Sequence, residues 1–418
     1  MLSWEYPPVL VGGLGRHVHA LATTLAAHGH DVTVATRYGQ HADGTDTLQD
    51  ETVDGVRIVR APDDPPLFPF SNETLLQWTM AFNHALTRAA LYASRTQDFD
   101  IVHAHDWLVT HAAVTVKQHL DLPLIATIHS TEAGRHRGWL PDNTSRTIHS
   151  VEWWLTYQAR SVLTCSQHMK WEVNQLFCLP PDKTEVIPNG VDLDTFAVDD
   201  AAARDVRARY GGGPLIVFAG RLVYEKGVQD LLDAAATLRT KYPQLRVVVA
   251  GEGSYDTELQ EQVERLDLHE TVTFRGFIES SQLAPLLAAA DCFAMPSRYE
   301  PFGMVALEAM AAGAPVVAGD CGGLSEFIDN GRTGFTHEPG NPESLARAID
   351  RVVSDEGAAS SLKRHATKML AEHFTWDTIA RRTVAAYTNA AQKERQVEAA
   401  LAAQELKVVI PDGNLLGT

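Results

Sequence analysis

The run Met295-Pro296-Ser297-Arg298-Tyr299-Glu300-Pro301-Phe302-Gly303-Met304-Val305-Ala306-Leu307-Glu308-Ala309-Met310-Ala311-Ala312-Gly313 reads as a strand end, a tight loop and a short helix. Asp291 to Met295 is an apolar stretch of strand length. Pro301 predicts the helix start, because its missing N–H would find no partner there anyway. Gly313 and Pro315 predict the stop. The free N–H groups of a first helical turn, with the positive end of the dipole, make an anion site. Glu308 falls one turn past Met304, about 6 Å along the axis. It is therefore placed to take a hydroxyl-bearing group beside a bound phosphate, while Glu300 faces the phosphate's other side. A sugar, a diphosphate and a ribose laid in a row fit that layout. On spacing alone, two glutamates with seven residues between them also describe an ordinary buried helix with surface carboxylates, so the reading depends on the rest of the chain.

The 418 residues are 45% hydrophobic and 21% charged, ordinary globular composition at a length that favours more than one domain. A net charge of −18 disfavours nucleic acid and anionic lipid as main partners. Cys165, Cys178, Cys292 and Cys321 are too sparse for a disulfide framework and lack metal spacing, which fits a reducing cytoplasm. No apolar run reaches the length of a membrane span, so no stable membrane insertion is expected.

Strand and helix patterns alternate along the chain. Met1 to Glu5 resembles the tail of a strand whose start would lie upstream, and a longer chain would then be more stable. Gly12-Gly13-Leu14-Gly15 precedes a helix with Val18, Leu21 and Leu25 on one face. Strands are expected at 31–35, 56–59, 101–105, 124–128, 161–164 and 185–187, with a proline-rich loop at 62–69 and a helix from Asn72. The alternation restarts after Asn189-Gly190-Val191-Asp192, with strands at 215–219, 246–250, 272–274, 292–295 and 315–318. A late amphipathic helix, Trp376 to about Ala391, is free to cross back to the first half, with the segment after Lys393 and the tail from Gly413 fraying. The pattern predicts an α/β chain of two doubly wound domains on parallel sheets, residues 1–190 and 191–375, with 376–418 as the crossing helix and tail.

Ligands of such sheets bind beyond the C-terminal strand ends. There, Gly220-Arg221-Leu222-Val223-Tyr224-Glu225-Lys226-Gly227 offers a guanidinium fork and an ammonium suited to two phosphates. Together with Glu300 and Glu308 they make a clamp for a departing diphosphate, doing what a metal otherwise does. No Asp-x-Asp motif is placed for Mg²⁺, so no metal is expected. Gly12 and Gly13 let backbone approach a ligand, but neither a dinucleotide fingerprint nor a Walker loop follows. His103, His105 and Asp106 end a strand without further ligands at metal spacing. His129, at another strand end, suits either the cleft or the core.

These motifs, with His105-Asp106-Trp107 and Thr127-Ile128-His129, resemble the retaining glycosyltransferases of family four and the nearby glycogen synthases, with the GT-B fold and its deep interdomain cleft. The resemblance spans essentially the whole chain. It is strongest to actinobacterial α-1,4-glucosyltransferases of glycogen and methylglucose lipopolysaccharide. It implies that Arg221 and Lys226 bind the donor diphosphate, assisted by Gly12, Gly13, Phe302, Gly303 and Met304. It further implies that Glu300 holds the sugar, Glu308 the ribose, and His129 the region of the reacting carbon, with Glu5 and Asp106 lining the sugar and acceptor side. The catalytic set is then His129, Arg221, Lys226 and Glu300. The expected partners are a nucleotide-diphosphate-glucose donor and an α-glucan or oligosaccharide acceptor, with no cofactor. Leu10 replaces the lysine found two positions before the first glycine in ADP-glucose-dependent bacterial synthases, which leans the donor towards UDP-glucose and leaves ADP-glucose open. The alternatives are another sugar or acceptor, such as mannose on a lipid or polyol, or a non-catalytic nucleotide- or glucan-binding protein.

Overall fold

The computed structural model describes residues 1–38, 48–62, 70–71 and 73–403. The proline-rich loop beyond Pro62, Asn72 and the tail from Gly413 lie outside the described residues. Leu215–Ala219 is buried at every position, as a strand covered by helices on both faces must be. It is the centre of a six-stranded, wholly parallel sheet. On one side lie Arg246–Ala250 and then Val272–Phe274; on the other lie Cys292–Met295, Val316–Gly319 and Phe335–His337. The chain first winds one way from the central strand and then the other. The reversal falls between Leu215–Ala219 and Cys292–Met295, where Ile216 is level with Cys292 and Val217 with Phe293.

The first half repeats the theme. Val102–His105, Leu124–Ile128, Ser161–Thr164 and Thr184–Val186 pair in parallel, as do Thr33–Arg37 and Val56–Ala61. The stretch expected to be strand material at Met1 to Glu5 is the seam between these groups, since Leu2 bridges both Ala35 and Ala104. One element departs from the all-parallel expectation. Gln49–Val53 pairs antiparallel with Val56–Ala61 and is exposed along its whole length. With water on both faces it needs no apolar alternation, so its sequence carries no strand signal. The helices Asp200–Ala208, Asp256–Arg265 and Ser280–Ala288 and the strand Phe335–His337 were also not anticipated.

The last helix, Trp376–Ala403, packs on the first sheet. Ile379, Ala386 and Ala390 cover Ile125, Leu163 and Ile187. Arg382 donates to the Val186 carbonyl at 2.6 Å and Lys393 to that of Asp182 at 3.0 Å. The helix continues ten residues beyond Lys393, where fraying was expected, and Arg160 pairs with Glu394 there. The two chain crossings between the halves run side by side: the Val191 N–H donates to the Phe374 carbonyl at 2.7 Å. Gly190 leaves room for the Trp376 ring, since a Cβ there would sit 2.7 Å from Cδ2.

Candidate functional site

The reversal in strand order brings two loops together at the C-terminal edge of the second sheet. Backbone N–H groups of Arg298 and Tyr299 donate to the Glu225 carbonyl at 2.8 and 3.4 Å. Gly227 makes the approach possible: its φ is +71°, and a Cβ would lie 1.9 Å from the Pro296 carbonyl oxygen. Arg298, unremarked in the sequence, ties the loops further through two hydrogen bonds to Asp230 at 2.6 and 2.9 Å. Lys226 Nζ thereby meets Glu300 Oε2 at 2.6 Å, with Ser297 Oγ 3.3 Å from the same oxygen. Arg221, in the same loop as Lys226, is exposed, and its guanidinium has no hydrogen-bond or ion-pair partner among the described residues.

The helix begins at Met304, three residues after the start expected from Pro301. Gly303 holds φ at +103° and keeps its Cα face against Leu324, where a Cβ would lie 2.5 Å from Cδ2. That left-handed residue, not the proline, aims the first turn. Phe302 is buried against Phe327 and Phe374, so its side chain packs rather than facing a donor. Glu308 lies one turn in and is buried. Its Oε1 accepts from Arg16 at 2.6 Å across the cleft, while Oε2 is buried with no partner. Burial raises the Glu308 pKa, and Arg16 pulls the other way. A buried carboxylate oxygen without a donor is costly; a ribose hydroxyl would satisfy it.

On the facing side, Gly12 and Gly13 open the helix Gly13–Ala27. Met304 Sδ would be 3.3 Å from a Cβ on Gly13, so the glycine loop abuts the start of the opposite helix. Glu5, expected to line the sugar and acceptor side, braces the glycine loop. It is buried, and one carboxylate oxygen accepts the N–H groups of Val11 and Gly12 at 2.8 and 2.9 Å. Glu5 therefore shapes the glycine loop, and those two N–H groups point at it rather than at a ligand. Asp106 adopts φ +61°, a conformation a non-glycine residue holds only under constraint. Its Oδ1 accepts from the His129 N–H at 2.7 Å, and burial pushes its pKa up to about 6. Asp106 thus fixes His129, which stands half-buried at the end of Leu124–Ile128. Burial lowers the His129 pKa to about 4, so the ring is neutral at pH 7.

Several cleft contacts carry no sequence signal. The Glu326 carboxylate accepts from Gln167 and His168 N–H groups, at 2.9 and 2.8 Å, at the start of a helix in the first half. Tyr299 donates to Glu172 at 3.1 Å, and Ser166 Oγ to the Pro301 carbonyl at 2.8 Å. The histidine grouping also differs from that suggested by His103 and His105. His103 has both nitrogens bonded, to Tyr387 and Thr127 at 2.7 Å each. It is His17, His105 and His129 that bring one ring nitrogen apiece within 4.8 Å of one another. No helix of the described residues is long and apolar enough to cross a membrane.

Comparison with known proteins accords with this geometry. Residues 11–195 match the model for Glycosyltransferase Family 4, and residues 199–369 that for Glycosyl transferases group 1. Over 402 residues the chain is 43% identical to a glycogen synthase of Mycobacterium tuberculosis, with 95% of each chain covered. It is 33% identical over 404 residues to a D-inositol 3-phosphate glycosyltransferase of Streptomyces avermitilis, covering 92% of this chain and 84% of that one. Among solved structures, a sucrose-phosphate synthase from Thermosynechococcus elongatus aligns with a TM-score of 0.80 at 25% identity, over 96% of this chain and 98% of that one.

Proposed function

As the chain belongs to glycosyltransferase family 4 and is a hexosyltransferase of GT-B fold, we propose that it moves glucose from a nucleoside-diphosphate glucose to the non-reducing end of an α-1,4-glucan, with retention at the anomeric carbon. The carrying observation is the joining of three features at one sheet edge. These are the Lys226–Glu300 pair, the exposed Arg221, and the partnerless Oε2 of Glu308, one turn into the helix that starts at Met304.

In this reading the diphosphate lies against Arg221, Lys226 and the first turn of that helix. Lys226 exchanges its carboxylate contact for the leaving phosphate, and Glu300 turns to the sugar hydroxyls. The bond from C1 to the phosphate oxygen lengthens as the acceptor hydroxyl enters on the same face. The acceptor's proton passes to the departing oxygen. Fixed cations stabilise the charge that develops there, so the transfer runs without metal. Neutral His129, held by Asp106, offers a hydrogen bond near the reacting carbon. Glu308 accepts from the ribose once Arg16 yields. The glucan acceptor is supported by the glycogen synthase likeness. The donor base is left between uridine and adenine by Leu10.

The test is nucleotide release from a panel of donors with maltooligosaccharides as acceptor. UDP-glucose or ADP-glucose should turn over and lengthen the acceptor. Release only with a different sugar donor, or only with inositol phosphate as acceptor, would overturn the glucan assignment. No release with any donor would overturn the enzyme's donor chemistry.

A further inference from the structure

Buried imidazoles normally have both nitrogens spoken for, and His103 does. Its neighbours do not. His17 and His105 are buried, yet His17 Nδ1 and His105 Nε2 have no partner. His105 Nδ1 and His129 Nε2 share a hydrogen bond at 3.2 Å, which a bound cation would replace, and the His17 ring centroid is 4.8 Å from that of His129. The three residues come from separate elements: the helix after the glycine loop and two adjacent strand ends.

We propose that His17, His105 and His129 form a binding site for a borderline-soft divalent cation, Zn²⁺ as the type, and that its occupancy switches the transferase off. Two nitrogens on a tetrahedral zinc, with bonds of about 2.0–2.1 Å, lie roughly 3.3 Å apart. The His105–His129 pair already has that spacing, and one nitrogen of each of the three rings lies within 4.8 Å of the others. Burial lowers the pKa of each ring, those of His17 and His105 well below the ordinary imidazole value. All three are therefore neutral and keep a lone pair at pH 7, the state a metal ligand needs. His129 is only half-buried, which gives the ion its entry from the cleft and leaves the fourth position to water. Three imidazoles with no carboxylate among them select Zn²⁺, Co²⁺, Ni²⁺ or Cu²⁺ over Mg²⁺ or Ca²⁺, which require oxygen. The ion is not a reactant. It immobilises the His129 ring, which the proposed transfer uses at the sugar, so that part of the inference rests on the proposed function.

The test titrates metal-stripped enzyme with Co²⁺ and follows the visible absorption of a tetrahedral site, without donor or acceptor. One equivalent should bind, and Zn²⁺ should displace it. His17→Gln should weaken binding at least about a hundredfold, whereas His103→Gln should leave it unchanged. Should His17→Gln fail to fold, judged by circular dichroism, His129→Ala at the half-buried position reads the binding instead. Nucleotide release should then fall in step with Zn²⁺ occupancy and return with EDTA. Sub-stoichiometric uptake, an octahedral spectrum, or equal uptake by wild type and the folded ligand variant would overturn the site. Full activity at full occupancy would overturn the inhibition. Because uptake is read optically, a failed donor assignment leaves the binding result standing.

Discussion

Replacing Lys226 by Ala separates the two duties of that side chain. In the resting cleft it neutralises Glu300, which is 6% exposed, at 2.6 Å. Removing one partner of a buried pair costs about 3–5 kcal/mol, because the other charge is left unpaired. The lysine retains some solvent, with 14% of its side chain exposed, which sets the expectation at the low end, about 3 kcal/mol. At 2–4 °C per kcal/mol for a domain of this size, melting should fall by roughly 10 °C. During transfer the same ammonium faces the departing diphosphate, and loss of one charge-stabilising donor lowers turnover by about a hundredfold or more. The variant Lys226→Ala/Glu300→Gln distinguishes the duties by removing the stranded charge. Its melting temperature should recover most of the loss, while its turnover, measured by nucleotide release at saturating donor, should stay at least about a hundredfold down. Recovery of turnover in the double variant, or near wild-type turnover in Lys226→Ala, would show that the lysine only steadies Glu300.

Glu308→Gln should raise the donor KM by about tenfold, the loss of a charged hydrogen bond, with kcat little changed because ribose binding is the same before and during transfer; steady-state kinetics against donor check it. Glu152 has one buried carboxylate oxygen without a hydrogen-bond partner, and burial raises its pKa from 4.5 to about 8. The folded chain therefore binds more protons than the unfolded one across that window, so stability contributed at acid pH is lost as pH rises from 4.5 to about 8. Glu152→Gln should flatten that decline in melting scans, and an unchanged slope would refute the assignment. Exhaustive dialysis against EDTA should leave turnover at the wild-type level; loss that Mg²⁺ or Mn²⁺ restores would count against cation-only stabilisation by Arg221 and Lys226.

Much of the scaffold was legible because its buried strands are short apolar runs. Leu124–Ile128, Ser161–Thr164 and Arg246–Ala250 lie where the sequence puts them. Gln49–Val53 was not legible, since an exposed edge strand has no buried face to encode. At the cleft, Lys226 and Glu300 were readable from their loops, which the strand order makes neighbours. Arg16, Glu326 and Tyr299 were not, since each finds its partner across the cleft, and no periodicity within one element reports that. Pro301 was misread for a physical reason: proline is tolerated at a helix start without being required there, and the turn at Gly303 decided the matter. Glu5 was placed by resemblance, and its bonds to the Val11 and Gly12 N–H groups were not legible, since a carboxylate near glycines suits a ligand and a loop N–H equally well. The histidine trio escaped notice because its members are scattered along the chain, joining only when two strand ends and a helix converge.

The closing helix has a bearing on how this chain is born. Ile125, Leu163 and Ile187 leave the ribosome long before Ile379, Ala386 and Ala390 exist to roof them. Throughout synthesis of the second half, the nascent first sheet presents a bare greasy stripe. Chaperone engagement on stalled chains should therefore persist until the final segment emerges.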